Sequence, residues 1–274
     1  MPVALTALTY GLALHVPEDG ALLVQAIVRE RDGAIDVELC SLDRARPDAW
    51  RSHMGGTIEA LARPAIADLN AAPAQALDLA GLAALAPGQF YPAIAPLGFG
   101  YGPGFRALVA LWRGPGRVVG EVVLPTHLSA GAHPLHPALL DACLHTYAAV
   151  LPEYGDLAHL PAPDEGTFLP ISVERFEMYR SGIGRAWVQC RLRAAAPGST
   201  GHTVDLHIFG DDGAAVALIG GLRVGRLTPR QLQADGAPGE AQTLFRTRWI
   251  EKAEKVETAE KAEKAEKALS LIHI

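Results

Sequence analysis

The run His133-Pro-Leu-His-Pro-Ala-Leu-Leu-Asp-Ala-Cys-Leu-His145 constrains the fold of this chain more than any other. Pro137 can open a helix, because its fixed φ suits the first turn and its missing N–H is not needed there. Leu139, Leu140, Cys143, Leu144 and Tyr147 then cover most of the helix surface. A helix apolar nearly all round must be covered on more than one side, so the rest of the chain has to supply layers around it. One residue breaks the pattern. Asp141 lies inside the apolar run, four residues before His145, which sets the carboxyl and the imidazole on one face. A carboxyl set in an apolar wall is held toward its neutral form, since desolvation penalises the charge. That environment suits a general acid. The alternative is an Asp at the helix edge that reaches solvent.

The covering layers read as strands. Residues 22–28 form an apolar run, and Asp32-Gly33 is a hairpin signal. Ile35, Val37 and Leu39 alternate with Asp36 and Glu38, the pattern of a strand with one wet face. Arg46-Pro47-Asp48 breaks the run, and Trp50–Ile58 reads as a further strand whose Gly55-Gly56 marks a weak middle or a bulge. The run Leu12-Ala13-Leu14, ending at His15, reads as a strand near the start. No long helix falls among these strands, although a sheet needs a partner layer for its apolar face. Residues 61–98, rich in Ala and Pro, read as a linker with helical pieces at Ala76–Ala84 and Tyr91–Leu97, and Phe105–Trp112 reads as a helix. Strands are expected at Arg117–Leu124 and near 169–178, 185–193, 203–209 and 214–225, with Asp212-Gly213 as a second hairpin turn. Residues 151–167 carry Glu153, Asp156, Asp164 and Glu165 and read as an exposed loop.

Composition excludes several classes. With 49% hydrophobic and 20% charged residues, the chain can bury a sizeable core. Its net charge of −6 comes without a basic patch, so nucleic acid is not an expected partner. No apolar run approaches the ~18 residues of a membrane span. No basic residue precedes Arg29, so the start does not read as a secretory signal. Cys40, Cys143 and Cys190 are scattered, which points to reduced thiols and a cytoplasmic location. Cys143 reads as a small core residue rather than a nucleophile. Gly100-Tyr-Gly-Pro-Gly104 lacks the Lys-Ser/Thr ending of a phosphate loop, and a tight bend explains its glycines. His133, His136, Asp141 and His145 offer metal-ligating side chains close together in sequence. Pro134 and Pro137 constrain that stretch, and His136 sits where a helix N-terminus needs a partner, so no metal site is assigned. Ser172 and His159 lack the setting of a catalytic nucleophile.

Three motifs occur in order: Tyr101-Gly102-Pro103-x-Phe105, then His136-Pro-Ala-Leu-Leu-Asp141-Ala-x-x-His145, then Leu169-Pro170-x-Ser172-Val173. Together they resemble the dehydratase domain of modular type I polyketide synthases, across residues 3–230. The resemblance implies an α+β double hotdog, two antiparallel sheets each wrapped around a central helix. It implies loss of water from a 3-hydroxyacyl chain, carried on the phosphopantetheine arm of an acyl carrier protein, to give an enoyl chain. In that family a His of the first half removes the α-proton, and an Asp on the second central helix protonates the leaving hydroxyl. Asp141 matches the acid, and His145 matches the Gln or His that orients it. Tyr101, Gly102, Pro103 and Phe105, with Leu169 and Pro170, match segments that line the substrate tunnel. The implied partners are the acyl carrier protein, neighbouring synthase domains and a second copy in a homodimer. No cofactor, nucleic acid or membrane is implied.

The sequence also departs from the family. Its first half should carry His-x-x-x-Gly-x-x-x-x-Pro. His15 and His53 lack both the Gly and the Pro, and His127 has Gly131 in place but Pro137 one residue late. The expectation is therefore a first hotdog that is incomplete and lacks the catalytic His, and a chain that is close to inactive alone. On this reading residues 1–62 are a partial N-terminal hotdog, 63–98 a linker, and 99–228 the C-terminal hotdog with the Asp141 helix. Residues 229–250 are a second linker, whose Leu244–Trp249 resembles the start of a following synthase part, and 251–274 are a charged low-complexity tail. In the tail, Glu and Lys pair at i, i+4 and no apolar stripe forms, so a solvated helix or disorder is expected. Leu269–Ile274 is either a docking tail or the end of a truncated frame. Two other readings stand beside dehydration: an inactive dehydratase-like scaffold, and a related double-hotdog enzyme that shifts double bonds or cyclises. Three geometric expectations follow. Asp141 is buried with its carboxyl within reach of the His145 ring, Tyr101–Phe105 passes beside that helix and narrows a tunnel, and the apolar face of the first sheet is exposed.

Overall fold

The computed structural model describes residues 3–16, 21–31, 33–42, 50–60, 78–195, 199, 201–229 and 231. Apart from Val16 and Ala21, these belong to one compact unit. The elements run β1 (Val3–Tyr10), β2 (Val24–Arg31), β3 (Ala34–Leu42), β4 (Trp50–Ala60), β5 (Ala83–Ala84), α1 (Pro87–Ile94), β6 (Leu108–Gly114) and β7 (Arg117–Val123). They continue with α2 (Pro137–Val150), β8 (Thr167–Met178), β9 (Arg185–Leu192), β10 (Gly201–Phe209) and β11 (Ala215–Leu227). All strand pairs are antiparallel, and the strands form one 11-stranded sheet in the order β2-β3-β4-β1-β8-β11-β10-β9-β7-β6-β5.

The two hotdog sheets are thus fused rather than separate. The seam is the pair β1–β8, in register from Ala4↔Glu177 to Thr9↔Ser172. On one side lies the meander of β2, β3 and β4. Its first turn closes at Gly33, whose φ of +81° only glycine adopts readily. On the other side six strands curve around α2.

The second half is built as its sequence pattern demands. α2 starts at Pro137, and the His136 ring caps it, Nδ1 accepting from the Ala138 N–H at 3.1 Å. It packs on β6, β7, β9 and β10. Leu139, Ala142 and Cys143 are fully buried against a core that includes Val118, Val122, Val188, Cys190, Val204 and Leu206. Its far end is closed by Arg113, whose guanidinium donates to the carbonyls of Leu151, Tyr154 and Gly155 at 3.1, 2.7 and 2.9 Å. These carbonyls lie at and just beyond the C-terminus, where orphan acceptors need partners.

Three elements differ from the sequence reading. The first strand is Val3–Tyr10, and Leu12–His15 lies past its end. Phe105–Trp112 is not helical: Phe105 closes a turn, and the chain continues as β6, hydrogen-bonded to β7 from Leu108↔Val122 to Gly114↔Arg117. Leu, Ala and Trp tolerate helix well, but tertiary pairing overrides that weak preference. Of Ala76–Ala84, residues 78–84 form a turn and the short edge strand β5, paired to Arg113 and Trp112. Tyr91–Leu97 is helical as read, within α1 and the 3-10 turn Ala95–Leu97. Asp32, Arg46–Asp48, the segment 61–77, the second linker beyond residue 231 and the charged tail lie outside the described residues. No helix among the described residues is long and apolar enough to cross a membrane.

Candidate functional site

The site assembles from α2 outward. One turn of helix brings Asp141 and His145 together, with Asp141 Oδ2 3.0 Å from His145 Nε2. The two ends of this contact sit in different surroundings. The His145 side chain is 1% exposed and that of Asp141 is 36% exposed. The expected contact is present, but Asp141 is half-buried rather than buried. Its position at the edge of the apolar helix leaves one oxygen tied to the imidazole, and Oδ1 makes no hydrogen bond to a described residue.

Behind His145 stands a residue that sequence reasoning missed. Tyr91, on α1, is buried, and its hydroxyl lies 3.1 Å from His145 Nδ1. The same oxygen accepts the Leu108 N–H at 3.2 Å. Burial pushes the Tyr91 phenol up to about 12, offset only in part by the bond from Leu108. The motif pattern centred on Tyr101 gave no signal for Tyr91. The apolar spacing of Phe90, Tyr91 and Ile94, all buried, could have marked α1 as a core helix rather than part of a linker.

Tyr101 closes the group from the side. Its ring lies over His145, centroids 3.8 Å apart at 40°, and stacks on Phe99 at 6.0 Å and 16°. Burial, then the charge of Asp141, raises its phenol above the ordinary value. The backbone that places it is a closed turn: Phe105 N–H and Arg106 N–H both donate to Gly102 O, and Arg106 Nε donates to Tyr101 O at 2.7 Å. Tyr101 thus lies beside the Asp141 helix as expected. Gly102 and Pro103 are exposed at the turn, and Phe105 is exposed as well.

Leu169 and Pro170 go elsewhere. They line an apolar cavity of about 740 Å³ together with Leu5, Leu8, Leu39, Met54, Leu140 and Leu144. This cavity lies between the first-half strands and the outer flank of α2. Asp141, His145 and Tyr101 are not among its lining residues, so the expected narrowing of a tunnel by Tyr101–Phe105 is not seen there. The structure therefore brings Asp141, His145 and Tyr101 together, adds Tyr91, and sets Leu169 and Pro170 around a separate space.

The remaining candidates resolve simply. Cys143 is fully buried and its thiol is pushed up to about 12 by burial, then by the nearby Asp141 charge, so it is a core residue. Both ring nitrogens of His53 are engaged, Nε2 with Ser41 Oγ at 2.7 Å and Nδ1 with Leu12 O at 3.0 Å. His15 is exposed. Among the described residues no group of three or more His, Cys, Asp or Glu is placed to hold a metal ion.

Antiparallel strands wrapped around a central helix make this an α+β double hotdog, the fold of the dehydratase domains of polyketide synthases. The model of the polyketide synthase dehydratase N-terminal domain matches residues 70–234, and the chain belongs to this family. It is 30% identical over 256 residues to the polyketide synthase GfsE of Streptomyces halstedii, across 90% of this chain and 6% of that protein. It is 33% identical over 258 residues to GfsA of the same organism, across 90% of this chain and 3% of that protein. The chain thus spans a small fraction of the multidomain synthases it matches. Among solved structures, the dehydratase domain of the CurJ module of curacin polyketide synthase superposes with a TM-score of 0.68 at 21% identity, covering 84% of this chain and 77% of that one. The CurF dehydratase domain superposes with a TM-score of 0.64 at 25% identity, covering 82% and 77%.

Proposed function

We propose that Asp141 is the general acid of a dehydration that removes water from a 3-hydroxyacyl chain carried by an acyl carrier protein. The observation that carries this reading is the half-exposed carboxyl with one oxygen held by a buried imidazole and the other without a hydrogen bond to any described residue. A general acid needs a fixed orientation and an open face toward its substrate. The solved dehydratase domain of the CurK module of curacin polyketide synthase supports a need for both an Asp and a His. In that protein, an Asp-to-Asn and a His-to-Phe variant are both inactive.

On this reading Asp141 gives its proton to the departing hydroxyl, and a base removes the α-proton to form the enoyl double bond. His145 acts through Asp141, and Tyr101 packs the imidazole into place. The family's base motif has no counterpart in this sequence; His15 and His53 are the first substitutes to test, His15 being exposed and His53 having both ring nitrogens already engaged. The carrier protein, neighbouring synthase domains, a homodimer and a cytoplasmic location belong to the same proposal.

The test is Asp141→Asn within the parent synthase, given a carrier-bound 3-hydroxyacyl substrate, with the enoyl product followed by mass spectrometry. Turnover should fall by about 10²–10⁴, the usual worth of a positioned acid. Unchanged turnover would remove Asp141 from the mechanism. Product with a shifted double bond or a new ring would favour the related double-hotdog chemistries instead.

A further inference from the structure

Four groups form a line through the interior: the Leu108 N–H, the Tyr91 hydroxyl, the two nitrogens of His145 and Asp141 Oδ2, with successive separations of 3.2, 3.1 and 3.0 Å. Three of the four can reverse their hydrogen-bonding sense. A phenol, an imidazole and a carboxyl each donate or accept as the surroundings demand. The backbone amide cannot. It only donates, so it fixes the direction of everything downstream.

The Leu108 N–H occupies the Tyr91 oxygen as acceptor, leaving the phenol proton to be placed. Among the described residues the one acceptor in reach is His145 Nδ1. Nδ1 must then present its lone pair, and the proton of the neutral imidazole sits on Nε2. From there it is donated to Asp141 Oδ2. The reverse order fails at one point. If Nδ1 carried the proton, two N–H groups would converge on the Tyr91 oxygen, and the buried phenol O–H would have no acceptor, a costly vacancy. The raised phenol pKa keeps Tyr91 protonated, and so a donor, throughout the neutral range.

We propose that Tyr91 is a positioning residue that locks His145 in its Nε2–H tautomer and thereby confines the proton of Asp141 to Oδ1. With Nε2–H pointing at Oδ2, a proton on that oxygen would face another proton. Oδ1 is the oxygen without a bond to a described residue, on a side chain that is 36% exposed. The inference rests on the reading of Asp141 as the acid only for its consequence, since the tautomer itself is a property of the folded chain. Partners of this outer kind are known to set the tautomer and orientation of a working imidazole.

The measurement is long-range 1H–15N correlation on the full chain labelled at its histidine ring nitrogens, with His145 assigned by His145→Gln. The expected pattern for His145 is a protonated, pyrrole-type Nε2 and a bare, pyridine-type Nδ1. A protonated Nδ1 in the wild-type protein overturns the proposal, and because the protein is unaltered this reading does not depend on any variant folding. Tyr91→Phe keeps the ring and removes the donor, so the fixed tautomer should give way to a mixture of the two. An unchanged pattern in a folded Tyr91→Phe protein also overturns it. In the parent synthase, Tyr91→Phe should lower kcat by about 10–100-fold with KM little changed. A Nδ1–H tautomer together with a severe Asp141→Asn defect would defeat this inference and leave the acid role standing. An Nε2–H tautomer with full activity of Asp141→Asn would do the opposite.

Discussion

The two halves of the sheet use the same strand grammar and reach different ends. Between β5 and β11, alternating strands close on α2, and residues such as Val118, Val188 and Leu206 are fully buried. Between β1 and β4, alternation of equal quality leaves Val28 61% exposed and Leu23 48% exposed, with Trp50 and Tyr10 also open. The cavity of about 740 Å³ lies against this half, walled on its other side by β8 and β11, through residues such as Val173 and Leu222, and by the flank of α2, through Leu140 and Leu144. The difference is the helix. A strand pattern specifies which face wants cover but does not supply the cover, and no described helix packs on the first-half strands as α2 packs on β6, β7, β9 and β10.

The largest expected effect tests that contrast directly. Leu139→Ala removes a fully buried side chain from α2 and should cost about 2–5 kcal/mol in urea unfolding. Leu39→Ala, on the half-buried wall of the cavity, should cost less than half as much. Equal losses would mean that the first half is as tightly packed as the second. Next comes Arg113→Ala, which strips three carbonyls at the end of α2 of their donor. We expect a loss of about 1–3 kcal/mol, with lysine restoring little, because one ammonium cannot span all three acceptors.

A smaller effect should appear in acid. Burial alone would raise the Asp205 carboxyl on β10. The Arg193 guanidinium and the Gly221 N–H outweigh it and hold the group below its ordinary value. A depressed folded-state pKa gives stability that is present above the unfolded value of about 3.9 and is lost as pH falls through the folded one. Thermal midpoints measured from pH 5 down to pH 2 should therefore drop more steeply for wild type than for Asp205→Asn. Parallel curves would show that the pair contributes nothing to the second half. The smallest stability change is expected at Val28→Ser on the open edge strand β2, within about 0.5 kcal/mol. Its signature should be weaker self-association by sedimentation, as an exposed apolar surface is removed. An unaltered association profile would locate the sticky surface elsewhere.

What could be read from the chain in advance follows the range of the interactions involved. The limits of α2 and the Asp141–His145 contact were legible because a proline, a cap and an i, i+4 spacing are local. Tyr91 was not, because its partner lies 54 residues away and the contact exists only once α1 docks. β6 reads as helix in the sequence because Ala, Leu and Trp do not declare their state until β7 pairs with them. The double hotdog was legible through its motifs, but the fusion of its sheets was not: nothing in the sequence of β1 announces β8, some 160 residues later, as its neighbour.

That fusion has a mechanical side. Along β8, strand β1 keeps an unbroken register, whereas along β4 it slips by one residue between Thr6 and Thr9. The surplus residue is Ala7, at a φ of +49°, and next to it Leu8 rides over Gly56, where a Cβ would come within 2.6 Å of the Leu8 side chain. The mismatch between the two halves is thus taken up entirely on the meander side, as a bulge that bends the strand. β1 behaves as a clamped beam with one yielding edge. Under load or during local opening, β4 and the strands beyond it should peel away first, while the β1–β8 rail and α2 behind it hold their shape.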